Sequence, residues 1–356
     1  MQQARPELQG RANWIGAELD QSGDWIRVLD ATQRQEIADA LDRVRRFPLF
    51  NFTRDDFPLP RTAPLLAGIA DELENGRGAV RLRGLDVARF TDDELRQVFW
   101  GIGCHLGTAL YQNARGEIMG EVRDESRLAE QTYEPVEPGK VASSRSRTRG
   151  TGPLRWHTDR CDVIALLCAR NAKAGGISKL ASIVTIYNEI GRRRPDLLEL
   201  LCRDYWRSRP SDEDGKTAQR AFALPVFSVL EGKLTCQYSR TYVEQAQEFP
   251  EVPRLTPAQN EALDLLAAVA DETCLHCPFE AGDIQLLNNH VIFHGRTAYE
   301  DDVQAHQDRL LLRLWLAVPN SRRLPADHAI LWGSTEPGSV RGGVTQPGRA
   351  RAFAVS

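Results

Sequence analysis

Apolar and polar positions change period along this chain, and the changes mark its elements. The run Val163-Ile164-Ala165-Leu166-Leu167-Cys168-Ala169 is apolar without interruption, which predicts a strand covered on both faces. Arg309-Leu310-Leu311-Leu312-Arg313-Leu314-Trp315-Leu316 reads the same way, but carries two arginines four residues apart and hence on one face. Gly78-Ala79-Val80-Arg81-Leu82-Arg83 alternates as a strand does. Helical spacing governs Leu95, Val98, Phe99, Ile102 and Leu106, behind a cap at Thr91 followed by Asp92, Asp93 and Glu94. Thr32-Gln33-Arg34-Gln35 has the spacing of a capping box and opens a helix expected to reach Phe47, before Pro48. A helix from Pro64 to Glu74 stops at Asn75-Gly76. Residues 185–204 read as helical with a break near Arg194-Pro195, and Thr256-Pro257-Ala258-Gln259 starts a helix running to about Asp271. Between them, 225–230 and 233–238 flank Glu231-Gly232 as a hairpin.

Three stretches lack such patterning. Residues 1–30 carry scattered aromatics and are expected to drape over the body. From Asp124 to Leu154 the pattern fails, and Ser143-Ser144-Arg145-Ser146-Arg147-Thr148-Arg149-Gly150 is polar, basic and glycine-ended, as a surface loop would be. A long loop in a compact enzyme is often functional, so 124–154 is also read as a lid whose arginines help hold an anionic substrate. Beyond Pro319, Gly338-Ser339-Val340-Arg341-Gly342-Gly343 lacks the lysine of a phosphate-binding loop, and a tail packed over the body is the better reading.

Composition narrows the class. At 356 residues with 42% hydrophobic and 26% charged positions, the chain can bury a large core as one domain or two. A net charge of −4 gives no global reason to expect a nucleic-acid partner. No apolar run is long enough to span a bilayer and the first residues lack the core of a signal peptide, so a cytoplasmic protein is expected. Seven cysteines scattered through apolar segments are not a secreted framework. Cys274-Leu275-His276-Cys277 is read as core thiols rather than a zinc or redox site.

The chemistry gathers at Arg155-Trp156-His157-Thr158-Asp159-Arg160 and Asn288-Asn289-His290-Val291-Ile292-Phe293-His294-Gly295-Arg296. On an extended segment His157 and Asp159 point the same way, and one later histidine would complete two imidazoles and a carboxylate with open positions, the set used by non-haem Fe(II) oxygenases. Arg309 and Arg313, directed into an apolar interior, would be costly unless anions met them, and arginine grips carboxylates in a bidentate fork.

With these residues in view, the sequence resembles the Fe(II)/2-oxoglutarate dioxygenases of the taurine dioxygenase (TauD/TfdA) type, including the clavaminate-synthase-like branch. The resemblance runs from about Gly76 to Pro319, and its pieces keep the family's order: Trp-His-Thr-Asp at 156–159, Gly175-Gly176-Ile177-Ser178, Gly282-Asp283-Ile284-Gln285, His294-Gly295-Arg296-Thr297, then Arg309 and Arg313. It implies a mixed α/β (α+β) chain with a double-stranded β-helix core, the jelly-roll or cupin architecture, and flanking helices. A single domain over 1–356 is expected, with a helical scaffold over 1–75, the family core over 76–319 and a tail over 320–356. The implied metal ligands are His157, Asp159 and His294, the last preferred to His290 because Gly-Arg follows it. Arg309, assisted by Ser178 where the family usually has threonine, would anchor the distal carboxylate of 2-oxoglutarate. That co-substrate would chelate Fe(II) through its C1 carboxylate and keto oxygen, leave O2 the last position, and end as succinate and CO2. Arg313 would meet an acidic group of the prime substrate, with Asn289 and Arg296 as neighbouring substrate-side candidates.

The substrate expected on this reading is a small carboxylate, amino acid or sulfonate, with a carrier-protein-tethered acyl group the less favoured option. Hydroxylation, desaturation and ring closure stay open, as does a homo-oligomeric state. Because Asp159 is present, the halogenase variation, in which a small residue replaces the carboxylate, is not expected. Two rivals stand beside this reading: a zinc hydrolase on the same ligands, and a non-catalytic relative that binds a small acid. The first gives Arg309 and Arg313 no purpose; the second gives the intact triad none.

Overall fold

The computed structural model describes residues 5–126, 147–209 and 220–345. The strands run β1 (Ile26–Val28), β2 (Ala79–Arg83), β3 (Thr108–Ala109), β4 (Met119–Val122), β5 (Leu154–His157), β6 (Val163–Arg170), β7 (Ala174–Gly175) and β8 (Ser178–Ser182). They continue as β9 (Asp204–Ser208), β10 (Ala221–Pro225), β11 (Phe227–Leu230), β12 (Lys233–Cys236), β13 (Leu275–Cys277), β14 (Ile284–Asn288), β15 (Ile292–Arg296), β16 (Tyr299–Glu300) and β17 (Leu310–Ala317). A 7-stranded sheet has the order β1-β2-β14-β6-β17-β3, with β4 also on β17, and a 4-stranded sheet has the order β13-β8-β15-β5. The inner faces of these sheets meet around one cavity, in the double-stranded β-helix arrangement.

The two uninterrupted apolar runs sit in the middle of the larger sheet because both of their faces are covered. On β6, Ile164, Leu166 and Cys168 face the smaller sheet, while Val163, Ala165, Leu167 and Ala169 pack under the helices Ala31–Val44, Ala63–Asn75 and Asp92–Leu106. On β17, Leu310, Leu312, Leu314 and Leu316 join that helical side, whereas Leu311 and Trp315 face inward. Period-two alternation therefore turns Arg309 and Arg313 to the cavity too.

Helix boundaries follow local chemistry with one shift of register. Thr91 and Thr256 cap their helices through reciprocal boxes with Glu94 and Gln259, as their sequences predict. The first box, however, is Asp30 with Gln33, not Thr32 with Gln35, and this helix ends at Val44 rather than Phe47. Leu29 is still hydrogen-bonded to Arg83 of β2, so the chain turns into the helix immediately after it. Residues 16–28 do more than drape: a short helix, Gly16–Ser22, leads into β1, which pairs parallel with β2 and extends the larger sheet. The expected hairpin is β11–β12, with Glu231 and Gly232 at φ of 52° and 76°, the left-handed pair that a two-residue turn requires.

After β17 the tail packs back on the body. Buried Arg322 is held by both carboxylate oxygens of Glu74, and buried Arg341 by Asp162. Gly343 donates to the carbonyl of Arg160. No helix among the described residues is long and apolar enough to cross a membrane. Most of the expected lid, residues 127–146, lies outside the described residues.

Candidate active site

Strand pairing assembles the site. His294 on β15 pairs directly with His157 on β5, so two histidines 137 positions apart in sequence become neighbours, their ring centroids 4.2 Å apart. Asp159 follows β5, where its backbone N–H donates to the side-chain carbonyl of Asn289 at 3.0 Å. One ligand atom each from His157, Asp159 and His294 lies within 4.8 Å of the others, the only such His/Cys/Asp/Glu group among the described residues.

The donors are set for a cation. His157 Nδ1 lies 2.8 Å from the Arg155 carbonyl, which fixes the proton there and leaves Nε2 as a lone pair, 3.8 Å from Asp159 Oδ1. His294 Nε2 lies 3.9 Å from Asp159 Oδ2, and burial, reinforced by His157, pushes its pKa down to about 3, so the ring is in its neutral, ligating form. Burial alone would raise Asp159. The charge of Arg313, the largest influence against burial, together with a 2.8 Å hydrogen bond from Trp315 Nε1, brings it below the usual carboxylate range. Two imidazoles and one carboxylate fit a divalent metal with positions open toward the cavity.

That cavity is half open, and its empty space, counting the part continuous with solvent, is about 460 Å³. His157, His294, Ser178, Arg296, Arg309 and Arg313 all line it. Arg309 is buried and its Nη1 has no hydrogen-bond partner among the described residues. Burial lowers its pKa, with Tyr299 opposing the shift. Arg313 differs: Gln112 Oε1 accepts from its Nε at 2.7 Å, and Nη1 sits 3.9 Å from Asp159 Oδ2, beside the triad.

Some candidates occupy other ground. Asn289 lies behind the metal loop rather than on the cavity wall, because both ends of its amide are engaged, by Asp159 N–H and by Cys161 Sγ. His290 is directed away from the site: its Nε2 meets Asp162 at 2.9 Å and its ring stacks on Trp332. Cys274 and Cys277 are free thiols, Cys277 in the core, and no disulfide joins any of the cysteines.

Three supporting residues were not visible in sequence. Gln285 accepts from Arg81 at 3.3 Å and meets Ser178 both ways, Nε2 to Oγ at 3.1 Å and Oγ to Oε1 at 3.3 Å, so it holds Ser178 in place on the cavity wall. Gln112 orients Arg313, and Trp315 orients Asp159. Only the Gly-Asp-Ile-Gln motif at 282–285 gave a hint of the first.

Comparison with known proteins agrees with this geometry. The family described as "Taurine catabolism dioxygenase TauD, TfdA family" matches residues 43–315. The chain is 33% identical over 333 residues to FR-33289 synthase of Streptomyces rubellomurinus, covering 89% of this chain and 92% of the relative. It is 30% identical over 319 residues to the taurine hydroxylase-like protein SAT17 of Stachybotrys chartarum, covering 86% and 80%. Among solved structures, asparagine oxygenase in complex with Fe(II), 3-hydroxyasparagine and succinate superposes with a TM-score of 0.60 at 17% identity, over 85% of this chain and 98% of that one. The non-haem iron oxygenase OrfP with iron and alpha-ketoglutaric acid gives 0.56 at 17% identity, over 82% and 93%. The chain belongs to the TauD/TfdA family. It is a dioxygenase of the class that uses iron, 2-oxoglutarate and O2.

Proposed function

We propose that this enzyme oxidises an unactivated C–H bond of a small anionic or zwitterionic substrate, such as an amino acid or a natural-product intermediate. The observation that carries the reading is the placement of two separate cavity cations on one strand face. Arg309 and Ser178 mark one end of the cavity and Arg313 lies beside the triad. Two cations next to three metal donors imply two anionic ligands, one for each.

The residues divide the work as follows. His157, Asp159 and His294 would hold Fe(II), which when bound activates O2 with oxidation of 2-oxoglutarate to succinate and CO2. Arg309 and Ser178 orient the distal carboxylate of the co-substrate, fixing the register of its keto-acid end against the triad. Arg313, held at Nε by Gln112, keeps its outer nitrogens directed toward the metal side, where an acidic group of the prime substrate can meet them. The apolar walls, Ile164, Leu166 and Leu311, limit water around the reacting C–H. Asparagine oxygenase and OrfP, the structural neighbours, are bound in their structures to hydroxylated amino acids, which supports an amino-acid-like substrate here. Hydroxylation is the simplest outcome; desaturation and cyclisation use the same first hydrogen removal. A zinc hydrolase on these ligands would leave both cavity arginines, buried Arg309 and half-buried Arg313, without purpose.

The test is anaerobic. Fe(II) followed by 2-oxoglutarate should give the weak visible charge-transfer band of a chelated keto acid, and His157→Ala should lack it. Well-folded, iron-loaded protein that gives no band would overturn the co-substrate half of the proposal. Succinate release that rises with one member of a panel of amino acids and other small acids would identify the prime-substrate class.

A further inference from the structure

Arg296 is the one cavity arginine that this division leaves unassigned. It is two residues from His294 on β15, so both side chains face the cavity, and Ser178 lies directly opposite it on β8. Its guanidinium lies over the Tyr299 ring at 4.6 Å, and that of Arg309 lies over the same ring at 5.3 Å. Arg296 is only 3% exposed. Nη2 donates to the carbonyls of Gly150 and Gly152 at 2.8 and 2.5 Å, whereas Nε and Nη1 have no partner among the described residues.

Two guanidiniums on one aromatic ring, each with an unmet buried donor and neither ion-paired with a carboxylate among the described residues, although Asp301 acts on both at a distance, form an incomplete site. Their proximity is felt electrostatically: burial first, and then the charge of Arg309, push Arg296 down to about 10. A carboxylate offers about four lone-pair positions, enough for Arg309, Ser178 and a third donor. The Arg296 donors left after the two loop carbonyls, Nε and Nη1, belong to a side chain that lines the same cavity as Ser178 and Arg309.

Resting on the reading that this cavity takes 2-oxoglutarate, we propose that Arg296 is a second cationic partner of the distal carboxylate, shared with Arg309. Through Gly150 and Gly152 it ties co-substrate binding to the chain segment that leads into β5 and His157. Arg296 thus serves the co-substrate rather than the prime substrate, for which its position beside His294 in sequence first suggested it.

The experiment titrates iron-loaded, anaerobic protein with 2-oxoglutarate and, separately, with 2-oxobutyrate, which keeps the chelating keto acid and lacks the distal carboxylate. Arg296→Gln should weaken 2-oxoglutarate about 10- to 100-fold and change 2-oxobutyrate by no more than about twofold. Arg296→Lys, which keeps the charge and loses the fork, should fall between. Equal losses for both acids would mean a merely structural arginine and overturn the proposal, as would an unchanged 2-oxoglutarate affinity. The ratio of the two affinities is read within each variant, so a partly destabilised protein still gives an answer. Hydrogen exchange across 147–152 should slow on adding 2-oxoglutarate to the wild type and not to Arg296→Gln; equal slowing in both would overturn the coupling. Failure of the wild type to form any band is a different result, which brings down the co-substrate reading itself.

Discussion

Arg309 and Arg322 are both buried, yet they are opposite kinds of residue. Arg322 uses every nitrogen of its guanidinium: Nε donates to Glu74, Nη1 to the Leu234 carbonyl and Nη2 to the Glu74 carbonyl. Arg309 lines a cavity with Nη1 unmet and no carboxylate paired to it among the described residues. A milder contrast separates Arg207, which is fully buried away from the cavity and donates to four backbone carbonyls through two of its three nitrogens, from Arg296, which lines the cavity and uses one of three. Burial of a cation therefore says little about function. Unused donors point to a ligand where they also line the cavity, as on Arg309 and Arg296; Arg207 Nε and Arg81 Nε are unmet too, but lie outside it.

The largest test of this contrast replaces each arginine by methionine. Arg309→Met removes an unpaired buried cation and should leave the melting temperature unchanged or higher. The same change should weaken 2-oxoglutarate by at least about 100-fold, the loss expected for a bidentate charged pair. Arg322→Met should do the reverse, destabilising by about 3 kcal/mol because Glu74 keeps only Lys233 and Asn288, with little direct effect on co-substrate affinity. If Arg309→Met unfolds as readily as Arg322→Met, the distinction between the two classes fails.

A smaller effect is expected at Arg313, whose donors are half used. Arg313→Ala should raise the KM for the prime substrate about 10- to 100-fold and leave 2-oxoglutarate affinity within about threefold, since Gln112 and Asp159 meet only part of its fork. Parallel loss of both ligands would show that Arg313 acts through Asp159 and the metal rather than on substrate.

What the sequence disclosed follows from range. The triad was legible because His157 and Asp159 obey a local period and the Gly-Arg after His294 singles it out from His290. Arg309 and Arg313 were legible because a charged residue stands out in an apolar strand. Gln112 and Trp315 were not, for their roles depend on long-range neighbours, as Gln112 lies 201 residues from Arg313. The register of the first capping box was hidden for a related reason. Asp30-Gln33 and Thr32-Gln35 satisfy the same spacing, and only the pairing of Leu29 with Arg83 selects between them. Asn289 shows the reverse error, where adjacency in sequence to a metal-site histidine suggested a cavity role and the turn before β15 directed its amide behind the loop.

The smallest effect probes whether unused acceptors follow the same rule as unused donors. On Asp159, Oδ2 accepts from Trp315 Nε1, while Oδ1 has no hydrogen bond among the described residues and lies toward His157 Nε2. The carboxylate is thus held from behind by one oxygen and free to ligate with the other. Trp315→Phe retains most of the ring in the core and removes only that hydrogen bond, so the carboxylate can rotate. Fe(II) affinity measured by anaerobic calorimetry should fall about 3- to 10-fold, the value of one hydrogen bond to a charged acceptor. The 2-oxoglutarate to 2-oxobutyrate affinity ratio should not move, because neither Arg296 nor Arg309 touches Trp315. An unchanged iron affinity would show that β17 and Asn289 alone fix Asp159. A loss above about 100-fold would instead make Trp315 part of the metal site rather than its support.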